Sequence, residues 1–171
     1  MKRDFLTMAD ASKELLESLL SRADFMKKNI LSGNKSMDLL KGKNVITLFY
    51  ENSTRTRCSF ESAAKYLGAS AIGITSSGSS VKKGESLIDT AVTLDKMMAD
   101  AIVIRHSVAG APAIIAKHTK ASVINAGDGM HAHPTQALLD MYTMREKFGT
   151  LKGLEVAIIG DVKHSRVAQS N

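Results

Sequence analysis

Short apolar segments alternate with longer amphipathic ones along most of this chain, and that alternation limits the architectures open to it. Residues 45–50, 71–75, 101–105, 123–125 and 156–160 read as strands, each apolar and bounded by polar or glycine-bearing turns. Residues 55–67, 85–98, 111–118 and 134–148 lie between them and read as helices. Ahead of the first strand, Leu15, Leu16, Leu19, Leu20, Ala23, Met26 and Ile30 recur at helical spacing. Thr7 is the expected cap of that first helix, with Asp10 at its third position, and Ser32-Gly33-Asn34 its expected end. Repeated βα units predict an α/β fold, a parallel sheet flanked by helices and joined by right-handed crossovers. In such sheets ligands bind beyond the carboxyl ends of the strands.

The organisation changes near residue 150. The helix expected at 134–148 starts with Pro134, suited to a first helical turn, and leads through Gly149-Thr150-Leu151-Lys152-Gly153 to a new strand candidate. We therefore expect one domain over 1–149, including the connecting helix. Residues 150–171 would be the opening βα unit of a second, truncated α/β domain. One such unit cannot bury its own core, so it should pack on the first domain or lack order.

The strand ends carry the chemistry. Glu51-Asn52-Ser53-Thr54-Arg55-Thr56-Arg57 joins the first strand candidate to a helix. The first N–H groups of a helix have no intrahelical partner and sit at the positive end of its dipole, so phosphate or carboxylate binds there. Ser53, Thr54 and Thr56 add hydroxyls, and Arg55 or Arg57 adds a planar bidentate fork. The bland alternative is a capped helix start with two solvated arginines.

Composition narrows the rest. The net charge of +6 admits nucleic-acid binding, but an aromatic share of 5% without tryptophan leaves little for bases to stack on. A small polyanionic substrate accounts for the same surplus, since basic residues recur at strand ends. No apolar run is long enough to span a bilayer, so no membrane association is expected. The start Met1-Lys2-Arg3-Asp4 lacks an apolar signal core, and the lone Cys58 cannot form an internal disulfide, which together suit a reducing cytoplasm. Cys58 itself is expected to pack as a small buried hydrophobe. Asp128, His131 and His133 lie close in a glycine-rich loop, but imidazoles two apart lack a third ligand there, and no metal is expected.

Five motifs then occur in order: residues 50–57, Lys82-Lys83-Gly84-Glu85-Ser86, Val103-Ile104-Arg105-His106, Asn125-Ala126-Gly127-Asp128-Gly129, and His133-Pro134-Thr135-Gln136-Ala137-Leu138-Leu139-Asp140. Together they resemble the amino-terminal, carbamoyl phosphate-binding half of aspartate carbamoyltransferase catalytic chains. The resemblance implies carbamoyl transfer from carbamoyl phosphate to L-aspartate in pyrimidine biosynthesis, without metal or organic cofactor. It implies that Ser53, Thr54, Arg55 and Thr56 hold the phosphate, with Arg55 also neutralising the leaving group. Arg105 would reach phosphate and carbonyl oxygen, His133 would donate to that oxygen, and Gln136 would hold the carbamoyl amide. Lys83 and one of Ser79 and Ser80 would reach a neighbouring subunit's site, Lys83 towards aspartate, which implies a homotrimer with shared sites and is compatible with regulatory chains. Arg166 would bind an aspartate carboxylate. The remaining aspartate contacts would lie beyond Asn171, so the chain alone is expected to bind carbamoyl phosphate with little or no turnover. The alternatives are an ornithine-type carbamoyltransferase and a non-catalytic phosphate-binding or assembly module.

Overall fold

The computed structural model describes residues 2–75 and 85–171. Its centre is a parallel sheet of β1 (Asn44–Phe49), β2 (Ser70–Thr75), β3 (Ala101–His106) and β4 (Ser122–Asp128), in the order β2-β1-β3-β4. The helices are α1 (Lys13–Leu31), α2 (Thr54–Tyr66), α3 (Leu87–Lys96), α4 (Ala111–Lys117), α5 (Pro134–Phe148) and α6 (Arg166–Ser170).

Strand periodicity splits β1 between two cores. Ile46 and Leu48 join Ile102, Ile104 and Val123 on the face covered by α3 and α4. Val45 and Phe49 join Val103, Ala126 and Ala64 of α2 on the other. Alternate side chains of a strand point to opposite faces, so a sheet covered on both sides needs the near-continuous apolar runs found in β1 and β3. Each fully buried Ile or Leu contributes roughly 1.5–3 kcal/mol relative to exposure.

The strand order reverses between β1 and β3. From that point the chain leaves β1 towards one face and β3 towards the other, which opens a crevice at their carboxyl ends. The N-terminal segment adds a feature not expected from sequence. Phe5 bridges Ile124 in parallel, with Phe5 N–H donating to Val123 O at 2.8 Å and Asn125 N–H to Phe5 O at 2.9 Å.

Three expectations are corrected. The first helix starts at Lys13 under Ser12, whose hydroxyl accepts from Leu15 N–H; Thr7 instead donates to Asp10 in a separate turn. Residues 156–160 form no strand, because no strand among the described residues lies beside them to take up their backbone hydrogen bonds. Cys58 is exposed, on the solvent side of α2 with Arg55 and Ser59, away from the flank that buries Ala64.

Candidate active site

The crevice at the switch point is a cleft of about 660 Å³ whose lining includes Ser53, Arg55, Thr56, Arg105, His133, Gln136 and Arg166. These residues come from the start of α2, the end of β3, the start of α5 and the tail, so only the folded chain brings them together. Thr54 faces an adjoining pocket with Asn52, Arg57 and Thr75. Ser79, Ser80 and Lys83 lie outside the described residues.

At the start of α2, Ser53 has extended backbone but makes no side-chain cap; its hydroxyl donates to Thr56 Oγ1 at 2.9 Å. The first N–H groups of the helix are thus left for an anion, beside the exposed Arg55.

Arg105 reaches the cleft because β3 ends there, paired with Phe49 of β1. Its side chain is 12% exposed, with Nη2 donating to Glu51 Oε1 at 2.6 Å and Nη1 to Ala126 O at 3.3 Å. Its Nε is buried without a protein acceptor. A buried, unsatisfied guanidinium N–H is costly and marks a place where a ligand oxygen fits. Arg105 is therefore more than a surface ion pair.

Glu51, for which sequence reading offered no role, ties the site together. Besides Arg105 it accepts from Arg166, Nη2 to Oε1 at 2.6 Å and Nη1 to Oε2 at 2.9 Å. Hydrogen bonds from Arg166 first, and from Arg105, outweigh its desolvation and hold its pKa down at about 2. An acidic residue opening an anion-binding turn is itself the signal that could have exposed this role, since it needs cationic partners of its own. Arg166 can approach because Gly127 has φ of 116° and no Cβ, which would meet Arg166 Nε at 3.0 Å. Arg166 also donates to Gly129 O at 3.1 Å.

His133 is the N-cap residue of α5, ahead of Pro134, and is 7% exposed, contrary to a solvated helix-start histidine. Burial, then the positive charges of Arg105 and Arg166, push its pKa down to about 4. At neutral pH it is an uncharged imidazole, able to donate one N–H without carrying charge. Its backbone N–H donates to Ser170 Oγ at 2.7 Å, which seats α6 against the cleft. One helical turn on, Gln136 Nε2 donates to Asp140 Oδ1 at 2.9 Å, leaving its amide oxygen as an acceptor on the cleft side.

The loop after β4 is more than a tight turn. Asp128, 1% exposed, accepts from Gly110 N–H at 2.8 Å, Asn125 Nδ2 at 2.8 Å and Ala132 N–H at 3.1 Å, and pairs with half-exposed His131 at 3.0 Å. This buried carboxylate fixes the loop that delivers His133. No group of three or more metal-ligating side chains occurs among the described residues.

The chain is also similar to known proteins over nearly all of its length. The chain is 61% identical over 169 residues to the aspartate carbamoyltransferase catalytic subunit of Ruminiclostridium cellulolyticum, covering 99% of this chain and 54% of that protein. The same identity and coverage relate it to the catalytic subunit of Acetivibrio thermocellus. The chain thus spans about half the length of the curated relatives it matches. Among solved structures, aspartate transcarbamoylase from Trypanosoma cruzi in complex with carbamoyl phosphate and aspartate superposes with a TM-score of 0.92 at 35% identity, covering 98% of this chain and 55% of that one. Its complex with carbamoyl aspartate and phosphate gives the same score, with 52% of that chain covered. Residues 3–146 match the family model for the carbamoyl-P binding domain of aspartate/ornithine carbamoyltransferase, and the chain belongs to that family.

Proposed function

We propose that this chain is the carbamoyl phosphate-binding half of an aspartate carbamoyltransferase catalytic subunit, serving the transfer of a carbamoyl group to L-aspartate in pyrimidine synthesis. The observation that carries this reading is the convergence of an uncapped helix start, a buried guanidinium with an unmet N–H, a neutral histidine and an amide acceptor on one cleft. The names of the relatives and the ligands of the Trypanosoma cruzi structures support it.

In this reading the α2 start, with Ser53, Arg55 and Thr56, takes the phosphate, and Thr54 contributes its backbone N–H as the first helical residue. Arg105 joins phosphate and carbonyl oxygen, exchanging its bond to Glu51 for one to the ligand. His133 donates to the carbonyl oxygen as negative charge grows on it, and Gln136 accepts from the carbamoyl amide. The aspartate amino nitrogen forms a bond to the carbamoyl carbon, the carbon–oxygen bond to phosphate breaks, and the electron pair leaves with the phosphate. Arg55 neutralises that charge, and the departing phosphate takes the proton released by the amine. Arg166 receives an aspartate carboxylate in place of Glu51. Lys83 and a loop serine, Ser79 or Ser80, complete the site of a neighbouring copy in a homotrimer, in a cytoplasmic setting. Residues 1–149 are the carbamoyl phosphate domain and 150–171 open the aspartate domain; this chain alone binds without efficient turnover, because closure over both substrates needs the rest.

The test is calorimetric titration of a stable phosphonate analogue of carbamoyl phosphate into the chain and its Arg55→Ala variant. Loss of one charged clamp should weaken binding roughly 10- to 100-fold. No binding by the folded wild type, or equal binding by both proteins, overturns the reading. Supplying aspartate and ornithine as acceptors to a full-length relative carrying this domain separates the aspartate from the ornithine branch.

A further inference from the structure

We infer that Glu61, which does not line the cleft, is a positioning residue for the anion seat: it fixes how α2 is rotated against the sheet and so where the helix start aims. This inference rests on the function proposed above.

A buried polar residue interrupts one apolar face of β1. Thr47 is 0% exposed on the sheet face shared by Val45 and Phe49, an otherwise apolar core. Its hydroxyl requires a partner, and the structure supplies Glu61 of α2, with Thr47 Oγ1 donating to Glu61 Oε1 at 2.9 Å. A carboxylate can descend that far only where a neighbouring side chain is missing. Gly73 of β2 stands directly beside Thr47 in the strand register, and a Cβ there would lie 2.6 Å from Glu61 Oε1 and 3.4 Å from Thr47 Oγ1. Thr47, Gly73 and Glu61 thus form a fitted niche.

The niche also holds a charge. Arg57, one turn earlier on α2, pairs with Glu61 across 3.7 Å, and its Nε is buried without a hydrogen-bond acceptor. Residues four apart share a flank of a helix, so Arg57 and Glu61 turn together towards β1 and β2. Arg55, Thr56 and Ser59 fall on a different flank and line the cleft. Arg57 N–H meanwhile donates to Ser53 O at 3.1 Å in the first turn of the helix. Pinning Glu61 to the middle of β1 therefore fixes the rotation of α2, holds Arg57 away from the anion, and presents Arg55, Thr56 and the free amides to it. Ala64 and the half-buried Phe60 also pack α2 on this core, but apolar contact is non-directional and specifies the rotation less tightly than a hydrogen bond does.

The experiment measures the dissociation constant of the phosphonate analogue for Glu61→Leu, Glu61→Gln, Gly73→Ala and Thr47→Val, beside wild type and Arg55→Ala, with amide NMR of the same samples. Glu61→Leu and Gly73→Ala should bind roughly tenfold more weakly. Their Ser53 to Arg57 amide signals should shift while those of α4 stay in place. Glu61→Gln keeps the acceptor for Thr47 and should bind within roughly threefold of wild type. Thr47→Val keeps the shape of the niche and should behave like Glu61→Leu even if Gly73→Ala fails to fold. Lowered melting temperatures with unchanged dissociation constants would assign Glu61 to stability alone and overturn the inference. If wild type itself does not bind, or Arg55→Ala binds as tightly, the functional reading falls and this inference with it; unaltered binding in the Glu61 and Thr47 variants beside a weakened Arg55→Ala overturns this inference only.

Discussion

The α2 start and the tail both present an arginine-bearing turn to the same cleft, yet they are held there in different ways. The α2 start hangs from β1, whose side chains are buried on both faces and whose backbone is hydrogen-bonded to strands on both sides. The tail has no strand; α6 is held by Arg166 on Glu51, Ser170 on the His133 amide and Asn171 on Asp140 at 3.1 Å. Its apolar residues are largely unspent, with Ile159 95% exposed and Val156 and Ile158 lining an open groove against α5. One half of the cleft is therefore fixed by a packed core and the other by charge and a few polar contacts. In the function proposed above, the moving part of the site is expected to come from this less stable region.

The largest effect is expected where the core side is opened. Ile104→Ala deletes a side chain of 0% exposure from the core between β3 and α3–α4, and should cost about 2–5 kcal/mol in urea unfolding. The tail should leave no comparable mark on that transition. A loss no larger than that of a surface substitution would mean that the sheet is not the rigid half.

A smaller effect follows from His133. Its pKa of about 4 in the folded chain lies below the ordinary histidine value of 6.5, so between those values the unfolded chain binds the additional proton. Stability should accordingly fall as pH drops from 6.5 to 4, by on the order of 3 kcal/mol from this residue, and level off below. Burial displaces His106 in the same direction, so the slope is read as the difference between wild type and His133→Asn. Parallel curves for the two would remove His133 as the cause. Glu51 acts in the next window down: its contribution is complete above pH 4.5 and is lost as pH falls towards 2.

The smallest change tests the tail itself. Glu51→Gln removes the charge that both arginines share and should loosen α6 by roughly 1–2 kcal/mol. Faster amide exchange at residues 166–170 and tryptic cleavage after Lys152 or Lys163 would report it, while β1 and β3 amides keep their protection. Equal protection of α6 in both proteins would show that the tail is held by something other than this charge.

The strands of the sheet were legible to within a few residues because each apolar run ends in a turn that cannot continue it, and the cleft followed from the strand ends. What stayed hidden depends on contact between distant positions. Residues 156–160 have the composition of a strand, but a strand needs a partner, and composition does not supply one. The exposure of Cys58 was obscured because α2 carries too few apolar residues to announce which side is buried. Nothing adjacent to Glu51 indicates that Arg105 and Arg166 will meet on it, and Thr47 looks like an ordinary β-branched strand residue until Glu61 is seen above it.

The bridge between Phe5 and Ile124 has a consequence in time. Leu6 O accepts from Asn125 Nδ2 at 2.9 Å across a separation of 119 residues. Such contacts form only after a long loop has closed. As the polypeptide leaves the ribosome, Phe5 and Leu6 lack these partners until β4 has emerged. Phe5 and Leu6 are thus fastened only after β4 is made, so their segment closes this sheet rather than starting it.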